Sequence, residues 1–184
     1  ARLREAEAAH GRTAPNHVRL LPGVVPYLAD TEDEARTYKA SLDAAVDLRP
    51  LIPTVARFLH LPVETLEQLE EDAPFPVSLL ADPATVTNSV ATYAALYEVV
   101  HNTRPTTAQL LLKAGGAARH REFVGTPQSF ADHLEHWVAT DAADGFMLML
   151  PSYGRDLDYF ADAVAPVLRV RGLVSPLDDP RSLS

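Results

Sequence analysis

The run Val18-Arg19-Leu20-Leu21-Pro22-Gly23-Val24-Val25-Pro26-Tyr27-Leu28-Ala29 is apolar with almost no alternation. A strand with one wet face alternates polar and apolar residues, so a strand without alternation must be covered on both faces, as in a parallel sheet flanked by helices. Such a strand also needs parallel neighbours on its edges, and these arrive only by crossover connections. Pro22 and Pro26 have no N–H to give a ladder, so the regular strand should be shorter than the run. Gly145-Phe146-Met147-Leu148-Met149-Leu150 is a second short apolar run of the same texture and reads as a second buried strand. Two strands do not make a sheet, and at least six helices are expected around them.

The segments between fit this pattern. Ala1 to Gly11 reads as the last turns of a helix stopped by a glycine, so the chain is expected to begin inside an element. After the first run, Asp30-Thr31-Glu32-Asp33-Glu34 is an N-cap, taken at Asp30, followed by acids, and Ala35, Tyr38, Leu42 and Ala45 follow at helical spacing. Residues 1–45 therefore form a β/α unit. Residues 46–121 are punctuated by Pro50, Pro53, Pro62, Pro74, Pro76, Pro83 and Pro105 and hold no convincing strand, which predicts a helical insertion or lid. Within it one helix is expected from Ala84 to His101, with Val86, Val90, Tyr93, Ala94 and Tyr97 on one face. A second should begin at Thr106, in capping-box spacing with Gln109, and end before Gly115 and Gly116. Residues 122–172 should supply a helix capped by Thr126 with Pro127 in its first turn and a buried stripe of Phe130, Leu134, Trp137 and Val138. They then add the second strand and a closing helix from about Asp156, with Leu157, Phe160, Ala161, Val164 and Leu168 inward, Pro166 as a kink and Gly172 as its stop. Residues 173–184 read as a tail, and the whole as one incomplete domain.

The balance of charge removes several functions. With Lys+Arg 16 against Asp+Glu 25 the formal net charge is -9, so counterion release cannot drive nucleic-acid binding and an anionic membrane repels the surface. No apolar run approaches the roughly 18 to 20 residues of a spanning helix. The chain has no cysteine, which excludes disulfides and thiolate-ligated zinc and suits a cytoplasmic location.

Few constellations carry chemistry. His133 and His136 stand three apart, with His120 upstream, but the order of a metalloprotease helix is absent and both are placed on a solvated face opposite Trp137, so no metal is assigned. Lys113 to Arg119 contains Gly115 and Gly116 yet matches neither a P-loop nor a dinucleotide fingerprint, and reads as a helix stop. Arg119-His120-Arg121 groups potential cations where the insertion rejoins the frame.

Four phrases in order resemble the C-terminal part of luciferase-like FMN-dependent monooxygenases of the nitrilotriacetate, alkane and dibenzothiophene-sulfone group. They are Leu20-Leu21-Pro22-Gly23-Val24-Val25-Pro26 leading to Asp30-Thr31-Glu32-Asp33-Glu34-Ala35, then Arg119 to Gln128 with Gly125-Thr126-Pro127, then Ala143-Asp144-Gly145-Phe146-Met147-Leu148-Met149, and Arg171-Gly172-Leu173. The resemblance implies a helix-rich α/β chain that is the C-terminal fragment of a (β/α)8 TIM barrel, with its last strands and a long helical insertion. It implies a two-component monooxygenase whose reduced FMN comes from a separate flavin reductase and whose substrate is a small organic molecule oxygenated with O2. It further implies a homo-oligomer, flavin-phosphate contacts upstream of Ala1, and a chain that alone holds no FMN and is inactive. Barrel sites lie past the C-terminal strand ends, so Ser152 and Tyr153, together with Arg119, His120 and Met147, are the substrate or lid candidates. Catalytic residues are not assigned. Met147 stands where the family usually has an amide, and Gln128 where an acid is usual. The alternative reading is a self-sufficient helical module that binds a protein or small ligand through residues 46–121.

Overall fold

The computed structural model describes residues 2–12, 18–115 and 120–174. Along the chain run α1 (Arg2–Ala9), β1 (Gly23–Leu28), α2 (Glu32–Ala44), α3 (Ile52–Leu59), α4 (Val63–Glu67), α5 (Val90–Thr103) and α6 (Thr107–Gly115). They are followed by β2 (Arg121–Gly125), α7 (Pro127–Ala139), β3 (Met147–Leu148), α8 (Arg155–Tyr159), a π-helical turn (Phe160–Val164) and α9 (Ala165–Val170). The chain divides into two compact units, residues 1–41 with 120–184, and residues 42–119.

The first unit is built on a parallel sheet of order β2-β1-β3. The two apolar runs do lie side by side, with Gly23 opposite Met147 and Val24 opposite Leu148. The third strand, β2, begins at Arg121, in a segment whose residue pattern carries no clear strand signal, and pairs with β1 from Val24–Arg121 to Leu28–Gly125. Consecutive strands of a barrel stand in chain order, whereas here β3 flanks β1 on the side away from β2. The physical reason is apolarity. β1 is buried along almost its whole length and takes the centre, while β2 opens on exposed Arg121 and Glu122 and β3 carries Met147 at 57% exposure, so both take edges. The second run is therefore a two-residue edge strand and not a fully buried one.

The ladder also explains why β1 tolerates a proline. The Ala29 N–H donates to Gly125 O on the β2 side, and Val24 O accepts from the Met149 N–H on the β3 side. Bonding direction alternates along a strand, so Pro26 faces the β3 side, beyond the short β3 pairing, where no donor is required. Each face has its own cover. Val24 and Leu28 pack with Phe130, Ala131 and Leu134 of α7 and with Val164 and Leu168 beyond α8. On the other face Tyr27 meets Lys39 of α2, which also pairs with Glu122 at 3.6 Å.

Local chemistry sets the element ends. Thr31, not Asp30, caps α2: its N–H and hydroxyl donate to Glu34, whose own N–H donates back to Thr31 Oγ1. Thr126 caps α7 reciprocally with Ser129 and Pro127 sits in the first turn, as the sequence implies. The α7 stripe is Phe130, Ala131 and Leu134, with Trp137 half-buried and Val138 exposed. Pro166 acts as a kink: it offers no N–H to the preceding turn, and Phe160–Val164 relaxes into π geometry. Val164 and Leu168 are buried there, while Leu157 turns outward. Gly11 and Gly172, both at positive φ, end their helices.

The second unit is helical, with a core of Val55, Ala56, Phe58, Leu59, Leu66, Phe75, Leu96, Val100, Leu110, Leu111 and Ala114. The capping box of Thr106 with Gln109 opens α6, which includes Gly115. α5 starts at Val90 and not at Ala84, because a 3-10 turn at Pro83–Thr85 and a left-handed Ser89 interrupt the stretch. Its buried face is consequently Tyr93, Leu96 and Val100. Among the described residues no helix is long and apolar enough to cross a membrane.

Candidate functional site

The C-terminal edge of the sheet in the first unit holds a continuous polar network. Asp156, at the start of α8, is 6% exposed, and its carboxylate takes three hydrogen bonds. The Tyr38 hydroxyl and the Ser152 N–H each donate to Oδ2 at 2.8 Å, and the Arg155 guanidinium donates to Oδ1 at 2.7 Å. Burial of an acid is tolerated only with such partners. The other arm of Arg155 donates to Leu28 O at 3.2 Å, a carbonyl on the β3 side of β1 that β3 is too short to reach. The guanidinium also lies 3.8 Å from the Tyr38 ring centroid and 5.6 Å from that of Tyr159.

Tyr159 extends the network to the end of β1 by donating to Asp30 Oδ1 at 2.7 Å. Burial first, then the bond to Asp30 and its charge, push the Tyr159 phenol up to about 12, so this hydroxyl stays a donor throughout the ordinary pH range. Tyr38 is raised as well, by burial and then by its bond to Asp156, with Arg155 opposing. The next strand end is organised separately: Ser129 Oγ receives the Thr126 N–H at 2.9 Å and donates to Glu32 Oε1 at 3.0 Å, tying α7 to α2 beside Gly125.

The residues singled out in the sequence are distributed over both edges of the sheet. Ser152 and Tyr153 follow β3 at the C-terminal edge, Tyr153 with 86% of its surface exposed. His120 precedes β2 at the opposite edge and lies against Gly23, so close that a Cβ added at this glycine would overlap its Nδ1. The length of β1 separates these edges by about 16 Å at roughly 3.3 Å per residue. Met147 projects from the β3 edge near Gly23. The fold thus groups Ser152 with Tyr153 and does not bring His120 or Met147 to them. Arg119 lies outside the described residues, as do Gly116 and the greater part of the 173–184 tail.

His133 does not stand on a polar face. Its ring lies 5.2 Å from Phe123 and 5.8 Å from Trp137, in a row that continues to Phe146, and Arg121 caps the Trp137 ring at 4.7 Å. Burial first, then Arg121 and His136, lower its pKa. Among the described residues no group of three His, Cys, Asp or Glu side chains is placed to hold a metal. A groove of about 390 Å³ in the second unit, lined in part by Asp43, Asp47, Arg49 and Glu71, contains none of the singled-out residues.

Asp30, Arg155 and Tyr159 do not stand out as functional groups in the sequence, where Tyr38 and Asp156 serve only as helix markers. Their partners lie 118 to 129 positions away, except that Asp156 also binds the nearby Ser152 and Arg155. No local spacing could have joined the distant pairs. The available signal was two βα turns each carrying an acid, which a parallel pairing of the strands places at one edge.

No protein-family model matches the chain. The chain is 31% identical over 175 residues to N-acetyl-S-(2-succino)cysteine monooxygenase of Bacillus subtilis (strain 168), covering 93% of this chain and 37% of that protein. It is 33% identical over 169 residues to nitrilotriacetate monooxygenase component A of Aminobacter aminovorans, covering 90% and 35%. Among solved structures, EDTA monooxygenase from Chelativorans sp. BNC1 superimposes with a TM-score of 0.55 at 28% identity, over 94% of this chain and 38% of that one. The chain therefore spans little more than a third of the length of the proteins it matches.

Proposed function

We propose that the chain, which spans about a third of the length of the luciferase-like FMN-dependent monooxygenases it matches, is the C-terminal portion of a two-component enzyme of that kind. Such an enzyme takes reduced FMN from a separate flavin reductase, acts in the cytoplasm as a homo-oligomer, and oxygenates a small organic substrate with O2. The observation that carries the reading is identity of 31% and 33% to two monooxygenases over nine-tenths or more of this chain. The match of the chain to EDTA monooxygenase, at a TM-score of 0.55, and the parallel sheet of its first unit support it.

In barrel enzymes the reaction is run past the C-terminal ends of the strands, which is where Asp30, Gly125, Ser152 and Tyr153 stand. Reduced FMN, when bound, would supply the activation of O2. The residues at this edge fit contact with a ring system better than with a phosphate: Arg155, the cation there, is already engaged by Asp156 and Leu28. Phosphate contacts are accordingly assigned to sequence outside this chain. The helical unit of residues 42–119 would act as the lid expected from the sequence, its apolar core excluding water from the reacting centre.

Two preparations test this function. The 184-residue chain, given photoreduced FMN, air and a panel of aminopolycarboxylate and thioether substrates, should yield no oxygenated product. The same chain, joined in one polypeptide to the remaining part of nitrilotriacetate monooxygenase component A, should consume O2 and form product only when reduced FMN is supplied. Product from the chain alone would refute its incompetence, and a folded chimera with no flavin-dependent product would refute the assignment.

A second reading has one observation in its favour. Residues 42–119 possess a hydrophobic core of their own, which suits a helical module that binds a protein or small ligand without catalysis. A cooperative melt of a monomeric chain with no flavin dependence in either preparation would select it.

A further inference from the structure

In the second unit two strained residues are tied to each other. His60, just past α3, has a φ of 55°, and Ser89, just before α5, has a φ of 51°. This left-handed region disfavours a residue other than glycine by about tenfold. The His60 Nε2–H donates to Asn88 O at 2.9 Å. That carbonyl belongs to the peptide unit leading into Ser89, so the bond holds the serine in its strained conformation. A serine that opens a helix ordinarily has an extended backbone, and its hydroxyl accepts an N–H of the first turn. Ser89 makes no such bond, and the first turn of α5 goes uncapped. The same pair of rings holds the other end of the segment: His60 meets Tyr93 edge-on at 5.6 Å, and the Tyr93 hydroxyl donates to Ala81 O at 2.9 Å. Between these pins residues 81–89 carry bonds of their own. Asp82 Oδ1 accepts the Ala84 N–H at 2.9 Å, and Asp82 O accepts both the N–H and the hydroxyl of Thr85, at 2.9 and 2.7 Å.

We propose that residues 81–89 form a two-state strap, latched by His60 and poised to open. In the latched state His60 holds Asn88 O, Ser89 is left-handed, and Tyr93 is 1% exposed. In the released state Ser89 becomes extended, its hydroxyl caps α5, and Tyr93 is uncovered. Release exchanges one hydrogen bond for another of similar strength and relieves the backbone of Ser89, so the two states are close in free energy. The turn at Asp82 keeps its own bonds, so the strap moves as a piece and the core beside it need not unfold. The inference lies within residues 42–119, which have a core of their own, and it does not rest on flavin chemistry.

The test reads two signals on the full chain. Amide exchange at Thr92, the third residue of α5, reports the cap, and nitration of Tyr93, resolved by peptide mass, reports opening. His60→Asn cuts the latch and keeps a residue that tolerates the left-handed backbone. Thr92 exchange should then slow about fivefold as the cap forms, and Tyr93 nitration should speed up about tenfold. Adding Ser89→Ala to His60→Asn should abolish the slowing at Thr92, whereas Ser89→Ala alone should leave Thr92 at its wild-type rate. Ser89→Gly relieves the strain with the latch intact and should slow nitration of Tyr93 about tenfold. Folding is checked by exchange at Val55 and Val100 in the core. Where His60→Asn does not fold, Ser89→Gly decides alone, since it leaves every side chain of the latch in place. Thr92 exchange indifferent to His60 in a folded variant, slowing that survives Ser89→Ala, or nitration unaffected by Ser89→Gly would each overturn the proposal.

Discussion

The two edges of the sheet are finished in opposite ways. At the C-terminal edge three strand ends are tied by a buried acid, two tyrosine hydroxyls, a guanidinium and a serine, all directional and all satisfied. At the N-terminal edge the finish is aromatic: Phe123, His133, Trp137 and Phe146 in a row under Arg121, with His120 lying over Gly23. Directional bonds fix atoms to a few tenths of an ångström, whereas ring packing tolerates small shifts, so the first edge can present groups to a ligand and the second mainly holds the sheet to α7. In barrel enzymes generally, the reacting groups stand at one end of the strands and stability is kept at the other.

Changes that ignore the difference should have the largest effect. Phe130 is fully buried between β1 and α7, and Phe130→Ala leaves a cavity under both edges at once. A loss of about 3–5 kcal/mol is expected, seen as a lower urea midpoint and as faster amide exchange at Ser152 and at Arg121 alike. Unequal exchange would show that the edges are less coupled than their shared core implies. Gly125→Ala probes the directional edge alone. Its Cβ would fall 2.7 Å from Ser129 Oγ and 3.0 Å from both Glu32 Oε1 and Phe123 Cε1, and the two polar atoms are tied to each other and to the Thr126 capping box, so they cannot move freely. Crowding of this kind costs about 1–3 kcal/mol. Exchange should rise at the first turn of α7 and stay unchanged around Trp137.

Much of the fold could be read from residue patterns because its determinants are local. The unbroken apolarity of Val24 to Leu28 requires a covered parallel strand, Thr126-Pro127 starts a helix, and Gly172 ends one. β2 could not be read in the same way. Arg121 and Glu122 are exposed on an edge, and only pairing with β1 makes that segment a strand. Strand order escaped for a related reason, since it depends on which strand can be buried on both faces. Of the polar edge, the position of Ser152 and Tyr153 followed from their place after a strand, while Asp156 looked like any acid at a helix start. Its burial is balanced by Tyr38, which is brought to it only by tertiary packing.

A smaller effect is expected from pH at the aromatic edge. His133 is neutral-favouring in the fold, chiefly through burial and then through Arg121 and His136, so its folded pKa lies below the unfolded value of about 6.5. The facing groups are Arg121 on β2 and His136 on its own helix, while Asp132 and Glu135 are occupied by Arg171. Below about 6.5 the unfolded chain binds a proton that the folded chain resists, so stability falls as pH drops from that value toward the folded pKa and levels off beneath it. The melting temperature should therefore decline between about pH 7 and 5 more steeply in the wild type than in His133→Phe, with Trp137 fluorescence as the local reporter. Equal slopes would mean that the ring is already solvated.

The smallest effect should come from Gly23→Ala, the counterpart of Gly125→Ala at the other edge. The new Cβ would overlap His120 Nδ1, a closer approach than any at Gly125. Distance alone therefore predicts the greater damage here. What reverses the order is the neighbour's freedom: His120 is exposed and its ring can rotate into solvent, whereas Ser129 and Glu32 are bonded in place. Gly23 also has no left-handed backbone to lose, and alanine restricts the unfolded chain, which offsets part of any crowding by about 0.4–1 kcal/mol. The net change should fall within about 0.5 kcal/mol of zero in urea unfolding. A loss as large as that of Gly125→Ala would show that His120 is fixed, and that the aromatic edge is as rigidly built as the polar one.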